Sequence, residues 1–401
     1  MREEGGAPPY APQNCVATPS AGGVPPRNAP PGSIKCLPTR GVFSALKSHF
    51  NGSQTKLKLK IFDAAHRPLN APPLTLSILC IVFLSCFVVS FMIGKFPVKP
   101  AELAHALFNR LFNGAQDWSA QVDAVIFNIR LPRVVAAAMI GAGLSAAGVC
   151  YQSLFINPLV SPDILGSSAG AGFGAALAIM TGAPYLLISV SAFSFGLSAV
   201  IAAVLIASTA RSNPTLALVL AGIMLGSLFS SATAFLKLIA DQTNVLPAIT
   251  YWLMGSLAGI RTTDLSLAAP PVMLGLLILF FCRVPLNLMT MGEDEARSMG
   301  INTRLIRVAV IAGATIISAA CVSISGMIGW VGLVIPHFAR MIAGPDNRVL
   351  LPASMLLGAS YLLVVDNVAR TISTSEIPIG ILTSFIGAPF FVYLILRTRT
   401  P

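Results

Sequence analysis

The feature that most constrains this chain is a run of 47 residues, from 164 to 210, without one Asp, Glu, Lys or Arg. In water-soluble domains about a quarter of all residues are charged, so a gap of this length does not fit a soluble core. A helix crossing a bilayer, by contrast, needs ~20 consecutive apolar residues. Seven further charge-free stretches follow the same pattern: Leu74 to Gly94, Val134 to Pro162, Ser212 to Leu236, Leu265 to Cys282, Val308 to Ala339, Val349 to Val365 and Ile377 to Leu396. Only 10% of the 401 residues are charged while 55% are hydrophobic, so the surface must largely face lipid. The chain therefore reads as an all-α polytopic membrane protein.

The 47-residue run can cross twice, with Thr181-Gly182-Ala183-Pro184 as the turn between crossings. The 32 residues from Val308 to Ala339 would be ~48 Å long as one helix, and Ser325-Gly326 with Gly329 can divide them. Ten transmembrane helices result, of which the eighth is the shortest. Pro100 to Phe112 places Leu103, Ala106, Leu107 and Leu111 on one helical face and suits the membrane interface. Leu246 to Trp252 reads as a short external helix or a re-entrant piece.

Charge sets the orientation. Residues 1 to 73 hold nine basic and three acidic side chains, more than half of the net +11. Lys56, Lys58, Lys60 and Arg67 lie within ~20 residues of the first apolar run, which places the tail in the cytoplasm. Ten crossings return the C-terminus to the same side. The tail, with Pro25-Pro26-Arg27-Asn28-Ala29-Pro30-Pro31, lacks periodic hydrophobicity and reads as disordered over 1 to 73, ahead of a ten-helix domain over 74 to 399. The first apolar run comes too late for a signal peptide. With the excess charge beside a membrane span, nucleic acid is not the expected partner. The seven cysteines form no CxxC pair, against a disulfide framework or zinc ribbon.

Small residues crowd two spans, at Gly141, Gly143, Ser145 and Gly148 and at Gly166, Ser167, Gly170, Gly172 and Gly174, where they let helix backbones approach. Neither run is a nucleotide loop, since no Lys follows it and no GxGxxG follows a strand, so the chain does not bind ATP itself in that manner. Gly166-Ser167-Ser168-Ala169-Gly170 matches G-x-S-x-G. An intramembrane serine protease would also need a general base, and His337 is the one histidine within a span. Asp366 and Arg370, four apart on one span, can neutralise each other. An ion-coupled secondary transporter would be expected to show several midplane acids, where Asp366 stands alone. One loop differs from the rest: Gly292-Glu293-Asp294-Glu295-Ala296-Arg297-Ser298-Met299-Gly300 has an acidic start and a basic end between two glycines, as a short helix prefers. Its Ala296 and Met299 suit insertion into a groove on a cytoplasmic protein.

Several motifs then fall in order: Arg130-Leu131-Pro132-Arg133, Asn157-Pro158-Leu159-Val160-Ser161-Pro162-Asp163-Ile164-Leu165-Gly166, the Gly292 to Gly300 loop, Gly329-Trp330-Val331-Gly332-Leu333-Val334-Ile335-Pro336-His337, and Ile377-Pro378-Ile379-Gly380 with Gly387-Ala388-Pro389. Over about residues 74 to 399 the chain resembles the permease subunit of binding-protein-dependent ABC importers for ferric siderophores, haem and vitamin B12. The resemblance implies a type II ABC importer permease fold in the cytoplasmic (inner) membrane. It implies a non-catalytic subunit with no cofactor of its own, ATP and Mg being held by two copies of a partner ATPase. Its other partners would be an extracytoplasmic substrate-binding protein, a second copy or close paralogue, and membrane lipid. Gly292, Glu293, Ala296, Met299 and Gly300 match the loop that couples to the ATPase. Arg130, Arg133 and Arg370 match arginines that dock the binding protein. Asn157 and Leu159, with Asn213, Pro214, Thr215 and Leu216, match the cytoplasmic gate. Ferric siderophore is the first expectation for cargo, followed by haem, vitamin B12 and molybdate.

Overall fold

A computed structural model describes residues 72–94, 96, 98, 100–111, 120–210, 214–373 and 376–397. The proposed tail, as far as residue 71, and Asn213 of the expected gate lie outside them. Among the described residues there is no strand. In chain order the helices are α1 (Pro72–Met92), α2 (Pro100–Leu111), α3 (Leu131–Leu154), α4 (Ser167–Met180), α5 (Tyr185–Ser208), α6 (Pro214–Ile239), α7 (Val245–Met254), α8 (Thr262–Met289), α9 (Glu293–Ser298), α10 (Thr303–Ser325), α11 (Val331–Ala343), α12 (Asn347–Thr371) and α13 (Ile379–Arg397). Ala120–Asp123 and a π-helical stretch, Ala124–Arg130, lead directly into α3.

All ten expected membrane segments are helical, and the fold is the all-α one that the charge-free runs demand. Their lengths differ from the expectation. α1, α3, α5, α6, α8, α10 and α12 are long and apolar enough to cross a bilayer, whereas α4, α11 and the apolar part of α13 are shorter. The 14 residues of α4 rise ~21 Å against a hydrocarbon core of ~30 Å. The cause lies just upstream: Pro162–Leu165 form a 3-10 turn and Gly166 takes φ +83°, a conformation that glycine adopts without strain, before α4 begins. Irregular backbone at membrane depth is tolerated only when protein covers it. Here Pro162 and Leu165 are buried, and Gly222 of α6 lies against the Ile164 carbonyl.

The centre of the bundle is α3. About 78% of its apolar window is buried inside the protein, against 17% for α1 and for α6, which face outward. Its small residues explain the difference. A side chain at Gly148 would overlap the Gly332 carbonyl of α11, and one at Gly141 would overlap the Gly358 carbonyl of α12. Backbones in contact maximise dispersion where lipid supplies no hydrophobic drive for association. The core that follows includes Ile140, Leu144 and Tyr151 of α3, Ile317 and Cys321 of α10, and Leu362 of α12.

Candidate functional site

The loop between α8 and α10 forms a single short helix, α9, with Gly292 at φ +136° before it and Gly300 at φ +83° after it. Six residues cannot hold a helix by themselves, so tertiary contacts must fix it. Two do. Ala296 is fully buried in this chain's own core, and Glu293 accepts hydrogen bonds from Arg307 at 2.8 Å, Arg297 at 2.7 Å and Thr303 at 3.2 Å. Burial pushes the Glu293 carboxyl up. The hydrogen bond and charge of Arg307, the Thr303 hydroxyl and the charge of Arg297 outweigh it and hold the group below its ordinary value. Of the two apolar side chains expected to enter a partner's groove, Ala296 is therefore turned inward and only Met299 is exposed.

Arg130, Arg133 and Arg370 come together, but not as a free positive rim. All three are buried. Arg130 donates to the Phe91 and Phe96 carbonyls. Arg133 bridges Asp366 of α12 and Glu376, each at 2.8 Å. Arg370 donates to Asn367 and, at 3.2 Å, to the Ser90 carbonyl, while its Nε lies 3.2 Å from Asp366 without hydrogen-bond geometry. Asn367 donates to Ser90 Oγ at 2.9 Å, so α1, α3, α12 and the segment before α13 are tied together. A buried charge needs partners, and this chain supplies them itself. The pairing of Asp366 with Arg370 was readable from the i, i+4 spacing. The bridge from Arg133 crosses 233 residues of sequence and was not. Glu376 was also missed, although it is the sole acidic residue after Asp366 and adjoins an apolar run.

At the opposite end of α3, Asn157 Oδ1 accepts from the Leu159 amide at 2.9 Å, and Leu159 is exposed. Gln152 holds this turn: its amide lies 3.4 Å from the Val160 carbonyl and 3.3 Å from that of Leu333, and its oxygen accepts from Arg340 at 3.0 Å. The other expected gate piece opens α6, where Thr215 is half-buried and Leu216 exposed at the first turn after Pro214. Ser168, the serine of the G-x-S-x-G match, donates to Asp163. A separate cavity of about 660 Å³ is lined by apolar groups that include Met254, Met327, Trp330, Ile381 and Phe385.

A helical bundle that turns apolar helices outward, seals an arginine–carboxylate cluster at one end and carries a clamped polar loop at the other is that of a multi-pass membrane protein. The chain belongs to the FecCD transport family, whose model matches residues 80–397. It is 39% identical over 316 residues to the molybdate import system permease protein MolB of Haemophilus influenzae, covering 78% of this chain and 92% of that protein. It is 41% identical over 280 residues to an iron chelatin transport system permease protein of Helicobacter pylori, covering 70% of this chain and 85% of that one. Among solved structures, an inward-facing metal-chelate type ABC transporter matches with a TM-score of 0.72 and 37% identity, over 81% of this chain and 99% of the other.

Proposed function

We propose that this permease is the membrane subunit of an ATP-driven importer of a metal chelate, with ferric siderophore as the leading cargo. ATP would be bound and hydrolysed on two copies of a separate ATPase, with Mg, and this chain would hold no cofactor. An extracytoplasmic binding protein would deliver the cargo. A second copy or a close paralogue would complete the path, and the exposed apolar faces of α6 and α13 offer it a surface. The chain would lie in the cytoplasmic membrane with both termini inside. Asn157, Leu159 and the start of α6 would close the path on that side.

The observation that carries this reading is α9: a short helix slung between two crossing helices, with Met299 exposed and acidic groups in its first turn. Only differential contact between states can couple a partner's ATP cycle to the bundle, and α9 is built to make such a contact. Met299→Glu should therefore strip the partner ATPase from the purified complex while leaving the permease folded in membranes. Undiminished ATPase recovery would remove α9 from the interface.

For Arg133 to meet an acidic residue of the binding protein, Glu376 must first give way, because it is the more exposed of its two partners. Cargo is the least constrained point, since relatives of nearly equal identity are named for molybdate and for iron chelatin. Uptake of a radiolabelled ferric hydroxamate into proteoliposomes, competed in turn by haem, cobalamin and molybdate, separates the candidates.

A further inference from the structure

The polar part of the clamp on α9 is one-sided. Among the described residues, the side-chain hydrogen bonds and ion pairs that leave α9 run to α10: Glu293 to Arg307 and Thr303, and Arg297 to Thr303 at 3.3 Å. None runs to α8. At each end of α9 stands a glycine at positive φ, and no atom lies near the position a side chain at Gly300 would take. Two permissive joints flanking a six-residue helix would absorb any displacement of it, unless something outside the joints fixed the helix to its neighbour.

We infer that the Glu293–Arg307 ion pair is a strut that passes displacement of α9 into α10, making Arg307 a positioning residue for transport. The inference rests on the coupling reading of α9 and adds to it the route by which motion enters the bundle. Arg307 lies on the first two turns of α10, with 21% of its side chain exposed, and Thr303 beside it is buried. α10 is 23 residues long, roughly 35 Å as a rigid rod. Its far end is held by a hydrogen bond from the Ser256 amide to the Ser325 carbonyl at 2.8 Å. Met327 and Trp330, directly beyond that end, line the 660 Å³ cavity. A push on α9 that reaches Arg307 is thus carried along α10 toward the cavity wall, together with α8 where Gly275 and Gly313 bring the two backbones into contact.

The test uses the assembled complex, permease with its ATPase, in a background without the seven native cysteines, carrying Met327→Cys as a reporter at the cavity. N-ethylmaleimide labelling is timed with and without ATP plus vanadate. With Arg307 intact, and with the conservative Arg307→Lys, trapping the nucleotide should change the labelling rate by about threefold or more, as expected when a ligand shifts a two-state population. In Arg307→Gln that dependence should vanish while the ATPase stays bound and still hydrolyses ATP. The double variant Glu293→Gln/Arg307→Gln should lose the nucleotide dependence of labelling just as Arg307→Gln alone does, since the pair acts as one unit in this readout. Retained nucleotide dependence in Arg307→Gln overturns the strut. So does loss of the ATPase from that variant, which would make Arg307 part of the interface or of folding. Met299→Glu separates the two levels: if it fails to release the ATPase, the coupling reading falls whatever Arg307 does.

Discussion

At the scale of single residues, Arg133 shows how much burial changes the meaning of a charge. Its guanidinium is 5% exposed and holds Asp366, itself fully buried, together with Glu376. Removing one partner of such a pair strands the other in a low-dielectric setting, which costs about 3–5 kcal/mol. Arg133→Ala should therefore lower the thermal unfolding midpoint in detergent by that equivalent and reduce the yield in membranes. A midpoint unchanged from the parent would mean that the network contributes nothing to folding. The same side chain marks the limit of sequence reading. Its position before a span was legible, as was the Asp366–Arg370 spacing, but the partner that decides its exposure is fixed only by the packing of α3 against α12.

Among elements, the lengths of charge-free runs predicted where helices form better than how long each one is. Run length counts apolar residues and is blind to backbone geometry. It could not show that Pro162 to Gly166 spend themselves on a turn, nor that Trp330, at φ +69°, starts α11 late. The short helices survive because their ends are packed on neighbours. Gly332 is one tight case, wedged between the Pro162 ring and the Leu144 carbonyl, while Gly148 meets its carbonyl from α3. An added methyl at either site presses on backbone that cannot rotate away, and overpacking of this kind typically costs ~1–3 kcal/mol or more. Gly148→Ala and Gly332→Ala should both lower stability, whereas Gly259→Ala, with open space around it, should not. Equal unfolding midpoints for all three would contradict the close approach. For α9 the sequence showed the glycine boundaries and the acidic start. It did not show that Ala296 points inward, because a six-residue helix has too few turns for periodicity to declare its buried face.

For the molecule as a whole, the arrangement places α9 and the turn before α7 at opposite ends of the bundle if ten segments cross. Asp294 is almost fully exposed and Asp241 is exposed as well. In a cysteine-free background, an impermeant maleimide added outside intact cells should label Asp241→Cys and leave Asp294→Cys untouched until the membrane is opened. The reverse pattern would invert the protein and remove α9 from the cytoplasm.

The sealed arginine cluster, at the outer end in the proposed orientation, also bears on how fast another protein can arrive there. Free guanidinium groups at a surface pull an oppositely charged partner through solution, and salt weakens that pull over a distance of ~10 Å. Three arginines set against two carboxylates inside the chain leave little field to act at range. The association rate of a binding protein with the complex should accordingly change little between low and physiological ionic strength, with recognition resting on short-range fit. A steep fall in that rate on adding salt would mean that the working protein opens the cluster before its partner lands.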